Sequence, residues 1–307
     1  MAGSVFRPVL PGARVAIVAP SGPFRPEKVE PARAALTARG IRAGPGPASA
    51  APEDGFLAGP DERRLASVVD ALGDPDVAAL WAARGGYGAT RIARLVPLPD
   101  VRAAGKPLVG YSDATALLAR WFAAGVGALH GPLATSVGEE PAESTARLLD
   151  LLAGVAPPGP LLAGLEPRAG RGREARGRLF AGNLSVLAAL AGTPVLPPLA
   201  GAILALEDVG EAPYRVDRMF TQLLDSGALD GLAGAVLGTF ERCAAGPEGP
   251  PRPTAEETAV ERLSRLDVPV LAGGSFGHGR PNLALPVGAL ARLDPSAGTL
   301  SFEAWSY

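Results

Sequence analysis

Three kinds of side chain in this sequence could together carry out acyl transfer. They are a serine at a tight turn, one of two histidines, and an acid at the end of an apolar run. The serine is Ser112, in the stretch LVGYSDATALL over 108–118. Apolar and small residues lead into Tyr111, Ser112 and Asp113, and a helical pattern follows at once. A nucleophile on a strand-to-helix turn is lifted above the carboxyl edge of a sheet. The N–H groups of the helix start then point at whatever it attacks. Gly110 and Ala114 flank Ser112 two residues to either side, and such a crowded turn needs small residues there. Ala114 stands where a G-x-S-x-G elbow would place its last glycine. The competing reading of Ser112 is a plain helix N-cap.

A serine nucleophile needs a base. His278 lies in GGSFGHGRPNLALPVG, a glycine-rich stretch that reads as an exposed loop able to place an imidazole near another element's edge. His130, in GALHGPLATS, reads as a packing or hydrogen-bonding residue. The base in turn needs an orienting acid. AILALEDVGEAPYRVDRMF offers Glu207, Asp208 and Glu211. Glu207 ends an apolar strand, where an inward carboxylate is costly unless paired, so it is the better candidate. Asp208 and Glu211 have an ordinary alternative as cap and first-turn acids of the following helix. For the oxyanion, the glycine turn ARGGYGATR over 83–91 supplies the N–H of Gly86, and the helix start supplies that of Asp113. A phosphate cradle or a plain turn would also account for those glycines.

These groups need a scaffold, and the chain predicts one. Apolar runs at 14–20, 77–84 and 107–112 alternate with helical spacing over 27–39, 60–73, 89–96 and up to about 124. That is the pattern of a mostly parallel sheet covered by helices. A stretch rich in proline, glycine and arginine follows over 154–176 and reads as a linker. Strands are then expected over 202–208 and 234–240, with helices from Leu184, over 213–226 and over 254–265. Further strands are expected near 289–294 and 299–303. The predicted fold class is therefore α/β. An N-terminal domain over 1–153 has a mostly parallel sheet and carries the nucleophile, and a C-terminal α/β domain over 177–307 has a mixed sheet and carries the acid and base.

Bulk properties narrow the function. At 307 residues the chain suits two domains of ordinary size. With 47% hydrophobic and 20% charged residues it has a soluble globular balance. A net charge of -2 argues against nucleic acid as a partner. No run reaches the ~18 uninterrupted apolar residues of a membrane span, and the N-terminal stretch does not read as a signal peptide. Cys243 is the only cysteine, so no internal disulfide and no cysteine-based metal site is expected. The reading calls for neither cofactor nor metal, and a cytoplasmic enzyme fits it.

The ordered set VAPSGP, ARGGYGATR, LVGYSDATALL, LHGP, GRLFAGNLSVL, LALEDVGEAPYRVDRMFTQL and FGHGRPNLALPVG resembles the LD-carboxypeptidases, or muramoyltetrapeptide carboxypeptidases. That family includes relatives that give self-immunity to microcin-type antibiotics. The resemblance runs from about residue 12 to about residue 294. It implies a serine peptidase with the triad Ser112, Glu207 and His278 in that chain order. It also implies a homodimer acting in the cytoplasm on recycled murein peptides, cutting the bond between the L-centre of a diamino acid and a terminal D-alanine. Arg84, beside the glycine turn, could hold the substrate's carboxylate or could make an ordinary surface ion pair. Without a long insertion between the domains, the cell-wall role is favoured over immunity.

Overall fold

The computed structural model describes residues 5–44, 55–170, 172–244 and 253–305. Two sheets organise them. The first contains β1 (Arg14–Val18), β2 (Arg42–Ala43), β3 (Val77–Ala82), β4 (Leu108–Gly110) and β5 (Ala128–His130). From far down the chain it also takes β11 (Leu285–Val287). Their order is β11-β5-β4-β3-β1-β2, and every pairing is parallel except β11 on β5. Helices cover this sheet, so its strands read as continuous apolar runs rather than alternating ones. Leu80, Trp81, Leu108 and Val109 have no exposed surface, and each such side chain contributes about 1.5–3 kcal/mol by leaving water.

The second sheet contains β6 (Glu166–Ala169), β7 (Ala175–Asn183), β8 (Ala202–Val209), β9 (Gly234–Glu241) and β10 (Val270–Ala272). It is completed by β12 (Leu290–Asp294) and β13 (Thr299–Ala304). The order is β13-β12-β7-β8-β9-β10-β6. Strands β7 to β10 run parallel, and β6, β12 and β13 pair antiparallel at the two sides. The expected α/β class, with a mostly parallel N-terminal sheet and a mixed C-terminal sheet, is the fold observed.

Three departures from the sequence pattern have physical causes. The helix expected over 89–96 stops at Ala93. Pro97 disfavours helix in the residue before it, and a new helix, Leu98–Ala104, starts just beyond. Within the 154–176 stretch lies β6, an edge strand whose EPRA sequence carries no apolar signal. Strand β11 is LPV, too short to register as a strand, and its proline suits the sheet edge it occupies.

The helix Thr115–Ala124 joins the two sheets. Nine of its ten residues are buried, as expected of a helix that is apolar on most sides, and the buried Arg120 donates to the Val96 carbonyl at 2.6 Å. Phe122 meets Phe180 of β7 edge to face at 5.3 Å, and the Thr115 hydroxyl accepts the Asn183 N–H at 2.9 Å. Among the described residues no helix is long and apolar enough to cross a membrane.

Candidate active site

In a parallel sheet the carboxyl ends of the strands share one edge, and the loops there carry function. Register places the candidate residues on that edge. Gly110 of β4 pairs with His130 of β5, and His130 pairs with Leu285 of β11. Ser112 follows Gly110 by two residues. Because β11 runs antiparallel, the loop that precedes it, with His278, arrives at the same edge. In the second sheet, Asn183 at the end of β7 pairs with Glu207 near the end of β8.

Ser112 sits at φ 59°, in the left-handed region that a non-glycine residue occupies at a cost of order 1–2 kcal/mol. Such strain concentrates at functional sites. The turn is as crowded as its sequence suggests. A Cβ added to Gly110 would lie 2.8 Å from the Ala114 Cβ and 3.2 Å from the Ala82 Cβ. Tyr111, not Ser112, holds the N-cap position, without a side-chain capping bond. Among the described residues the Ser112 hydroxyl caps no helix N–H, so the N-cap reading does not account for it.

His278 and Glu207 meet directly. The imidazole Nδ1 lies 2.6 Å from Glu207 Oε2, and the His278 N–H donates to the same oxygen at 3.2 Å. An ionised carboxylate can only accept, which puts the proton on Nδ1 and leaves the Nε2 lone pair free. Glu207 is fully buried, and His278 is partly exposed. Asn183 Nδ2 donates to Glu207 Oε1 at 3.2 Å and to Asp208 Oδ1 at 3.0 Å. Tyr111, next to Ser112, lies against the imidazole with ring centroids 4.9 Å apart. The structure therefore joins the candidate acid to the candidate base and sets the neighbour of Ser112 against that imidazole. Among the described residues no hydrogen bond links the Ser112 hydroxyl to the imidazole, and such bonds often close only around substrate.

The other candidates fall as follows. Gly86 has φ 101° and packs on Gly22, but it is Gly85 that faces the serine. A Cβ on Gly85 would lie 3.0 Å from both Cβ and Oγ of Ser112. The Asp113 carboxylate turns inward and accepts the Ala89 N–H at 2.8 Å. Burial pushes its pKa up, against the lowering effect of the hydrogen bonds it accepts. Its backbone N–H is in the first turn of a helix, where such groups lack intrahelical acceptors. Arg84 donates to the Pro23 carbonyl. It also lines a cleft of about 600 Å³ together with Arg25, Lys28, Tyr111 and Glu139.

Asp208 supports a different helix from the one anticipated. It accepts the Ser185 N–H at 2.8 Å, in the first turn of Leu184–Leu190 rather than of Pro213–Asp225. Burial pushes its carboxyl up to about 6 despite the Val209 and Ser185 N–H donors. His130 is fully buried between Tyr111 and Phe276, with ring centroids 5.8 and 5.9 Å away. Neither of its ring nitrogens finds a partner on another residue. Sequence reasoning did not single out Tyr111, Asn183 or Gly85. Asn183 left a signal, an N-cap residue type at a strand-to-helix junction, and its Oδ1 does accept the Val186 N–H.

Comparison with known proteins matches the chain to a family. Residues 15–131 match the LD-carboxypeptidase N-terminal domain, and residues 176–293 match the LD-carboxypeptidase C-terminal domain. The murein tetrapeptide carboxypeptidase of Pseudomonas aeruginosa is 36% identical over 78% of this chain and 80% of its own. The crystal structure of muramoyltetrapeptide carboxypeptidase from Oxalobacter formigenes superposes with a TM-score of 0.79 at 29% identity. That match covers 94% of this chain and 97% of the other. The microcin C7 self-immunity protein MccF of Escherichia coli is 26% identical over 78% of each chain. The chain belongs to the LD-carboxypeptidase family and is a serine-type carboxypeptidase, a hydrolase.

Proposed function

We propose that this enzyme releases terminal D-alanine from murein tetrapeptides by cutting the L,D-peptide bond, with Ser112 as nucleophile, His278 as base and Glu207 as orienting acid. The observation that carries the proposal is the 2.6 Å Glu207–His278 contact, on the edge where Ser112 is held at positive φ. The names of the Pseudomonas and Oxalobacter relatives support the substrate class.

His278 Nε2 takes the Ser112 proton as Oγ attacks the carbonyl carbon of the scissile bond. The N–H groups of Gly86 and Asp113 receive the oxyanion. Collapse breaks the C–N bond, and the imidazolium returns its proton to the leaving D-alanine amine. Water then attacks the acyl-enzyme with His278 again as base, freeing Ser112 and the shortened peptide. Glu207 keeps the imidazole in the needed tautomer throughout. Arg84, on the cleft wall, holds the substrate's terminal carboxylate. The enzyme works as a homodimer in the cytoplasm on peptides recovered from the cell wall.

A Ser112→Ala enzyme is expected to release no D-alanine from a tetrapeptide above background while its circular dichroism stays that of the parent. Release at the parental rate would overturn the assignment. A second reading, hydrolysis of aminoacyl-nucleotide antibiotics, draws on the likeness to MccF. Turnover of an aminoacyl-sulfamoyl nucleotide in preference to the tetrapeptide would favour it. Failure of a fluorophosphonate to label Ser112 would overturn its role as the nucleophile.

A further inference from the structure

The loop that carries His278 runs on into β11 of the first sheet, but close to the imidazole its main-chain hydrogen bonds go to the second sheet. The His278 N–H goes to Glu207, the Gly279 N–H goes to Thr239 Oγ1 at 2.9 Å, and Thr239 N donates to the Phe276 carbonyl at 3.1 Å. Ser112 belongs to the first sheet. With β11 anchoring only the far end of the loop, something nearer the imidazole must fix it against the serine.

Glu139 and Glu140, at the end of the short helical turn Val137–Glu139, face this loop from the Ser112 side. Glu140 Oε2 accepts the Asn282 N–H at 3.1 Å. Asn282 is fully buried, and its Oδ1 accepts the Gly277 N–H at 3.0 Å. One carboxylate thus holds the loop at Asn282 and, through that side chain, at the residue just before His278. Among the described residues this is the one hydrogen bond from the first sheet's side to the main chain of 277–282. Glu139 adds exposed ion pairs to Arg280 at 2.8 Å and to Lys28 at 3.1 Å, which water and salt screen.

We propose that Glu140 is a positioning residue that sets the imidazole of His278 against Ser112 through the Asn282 relay. This rests on the triad reading given above. Glu140 touches no reacting atom. It acts by keeping the loop in register, and a displacement of about 1 Å between nucleophile and base can cost on the order of a hundredfold in rate. Only an acceptor oxygen is required, so the amide of glutamine can replace the carboxylate, whereas alanine cannot.

The test measures three quantities on the full chain with Glu140→Ala and Glu140→Gln. They are D-alanine release from a tetrapeptide, the rate at which a fluorophosphonate labels Ser112, and the melting temperature. Glu140→Ala is expected to lower kcat and the labelling rate at least tenfold, with KM within threefold and the fold retained. Glu140→Gln is expected to stay within threefold of the parent in both rates. The proposal is overturned if Glu140→Ala labels and turns over at parental rates, or if Glu140→Gln fails as badly as alanine while still folded. It is also overturned if kcat holds and only KM rises. A parent enzyme whose Ser112 is never labelled removes the triad reading and the positioning role with it. Normal labelling of the parent with no effect of Glu140→Ala removes the positioning role alone.

Discussion

Glu207 is the residue whose surroundings constrain it most. Oε2 accepts from both the His278 N–H and Nδ1, and Oε1 accepts from Asn183 Nδ2. Among the described residues, every hydrogen-bond partner of this carboxylate is a donor. Glutamine in its place would aim an NH₂ at a donor whichever way it turned, and the histidine would lose its preferred tautomer. Glu207→Gln is therefore expected to lower kcat by about 10⁴-fold, the size known for a triad acid turned into its amide. Circular dichroism should stay unchanged, and a loss under tenfold would show that Glu207 does not orient the base. The candidates Ser112, Glu207 and His278 were all chosen from the sequence, and the structure brings two of them, Glu207 and His278, into contact at 2.6 Å. Only two histidines compete for the base role, and a carboxylate ending an apolar strand demands a partner. Asn183 and Tyr111 were not legible as site residues, because their contacts arise only when two strand ends and a loop meet.

The elements work through close backbone approach. The glycine turn after β3 passes so near the turn after β4 that a side chain on Gly85 would press on Ser112. A methyl group there would lie 3.0 Å from the Ser112 Cβ and Oγ. Gly85→Ala is expected to push the serine aside and cut kcat/KM roughly tenfold to a hundredfold. The melting temperature should fall by only a few degrees, since the clash is local. Parental activity in this variant would mean the turn yields without moving Ser112. Buried strands and long amphipathic helices were readable from apolar spacing, as with Val77–Ala82 and Asp61–Gly73. Strands β6 and β11 escaped because pairing with neighbours distant in sequence, rather than their own residues, makes them strands. The turn at 137–140 likewise carried no signal for gripping a loop some 140 residues away.

For the molecule as a whole, the buried His130 links pH to stability. It sits where Tyr111 from one sheet's edge meets Phe276 from the other's. Burial holds its imidazole down at about 4, below the ordinary 6.5. An unfolded chain takes up this proton as the pH drops below about 6.5, and the folded chain resists until about 4. Stability from this group is therefore present above pH 6.5 and lost as the pH falls towards 4, on the order of 3 kcal/mol in all. His130→Leu is expected to shrink the fall in melting temperature between pH 7 and about pH 4.5 by roughly 4 °C. An unaltered fall would show that His130 does not drive it. The path of the chain has an effect of its own. It leaves the first sheet after β5, builds most of the second, returns to lay β11 beside β5, and then crosses back as β12 and β13. Neither half can be excised with its hydrogen-bond ladder whole. An N-terminal fragment would bare the flank of β5, and a C-terminal fragment would carry an orphan strand. Splitting the gene at the apparent boundary should thus yield two sticky, poorly folded pieces.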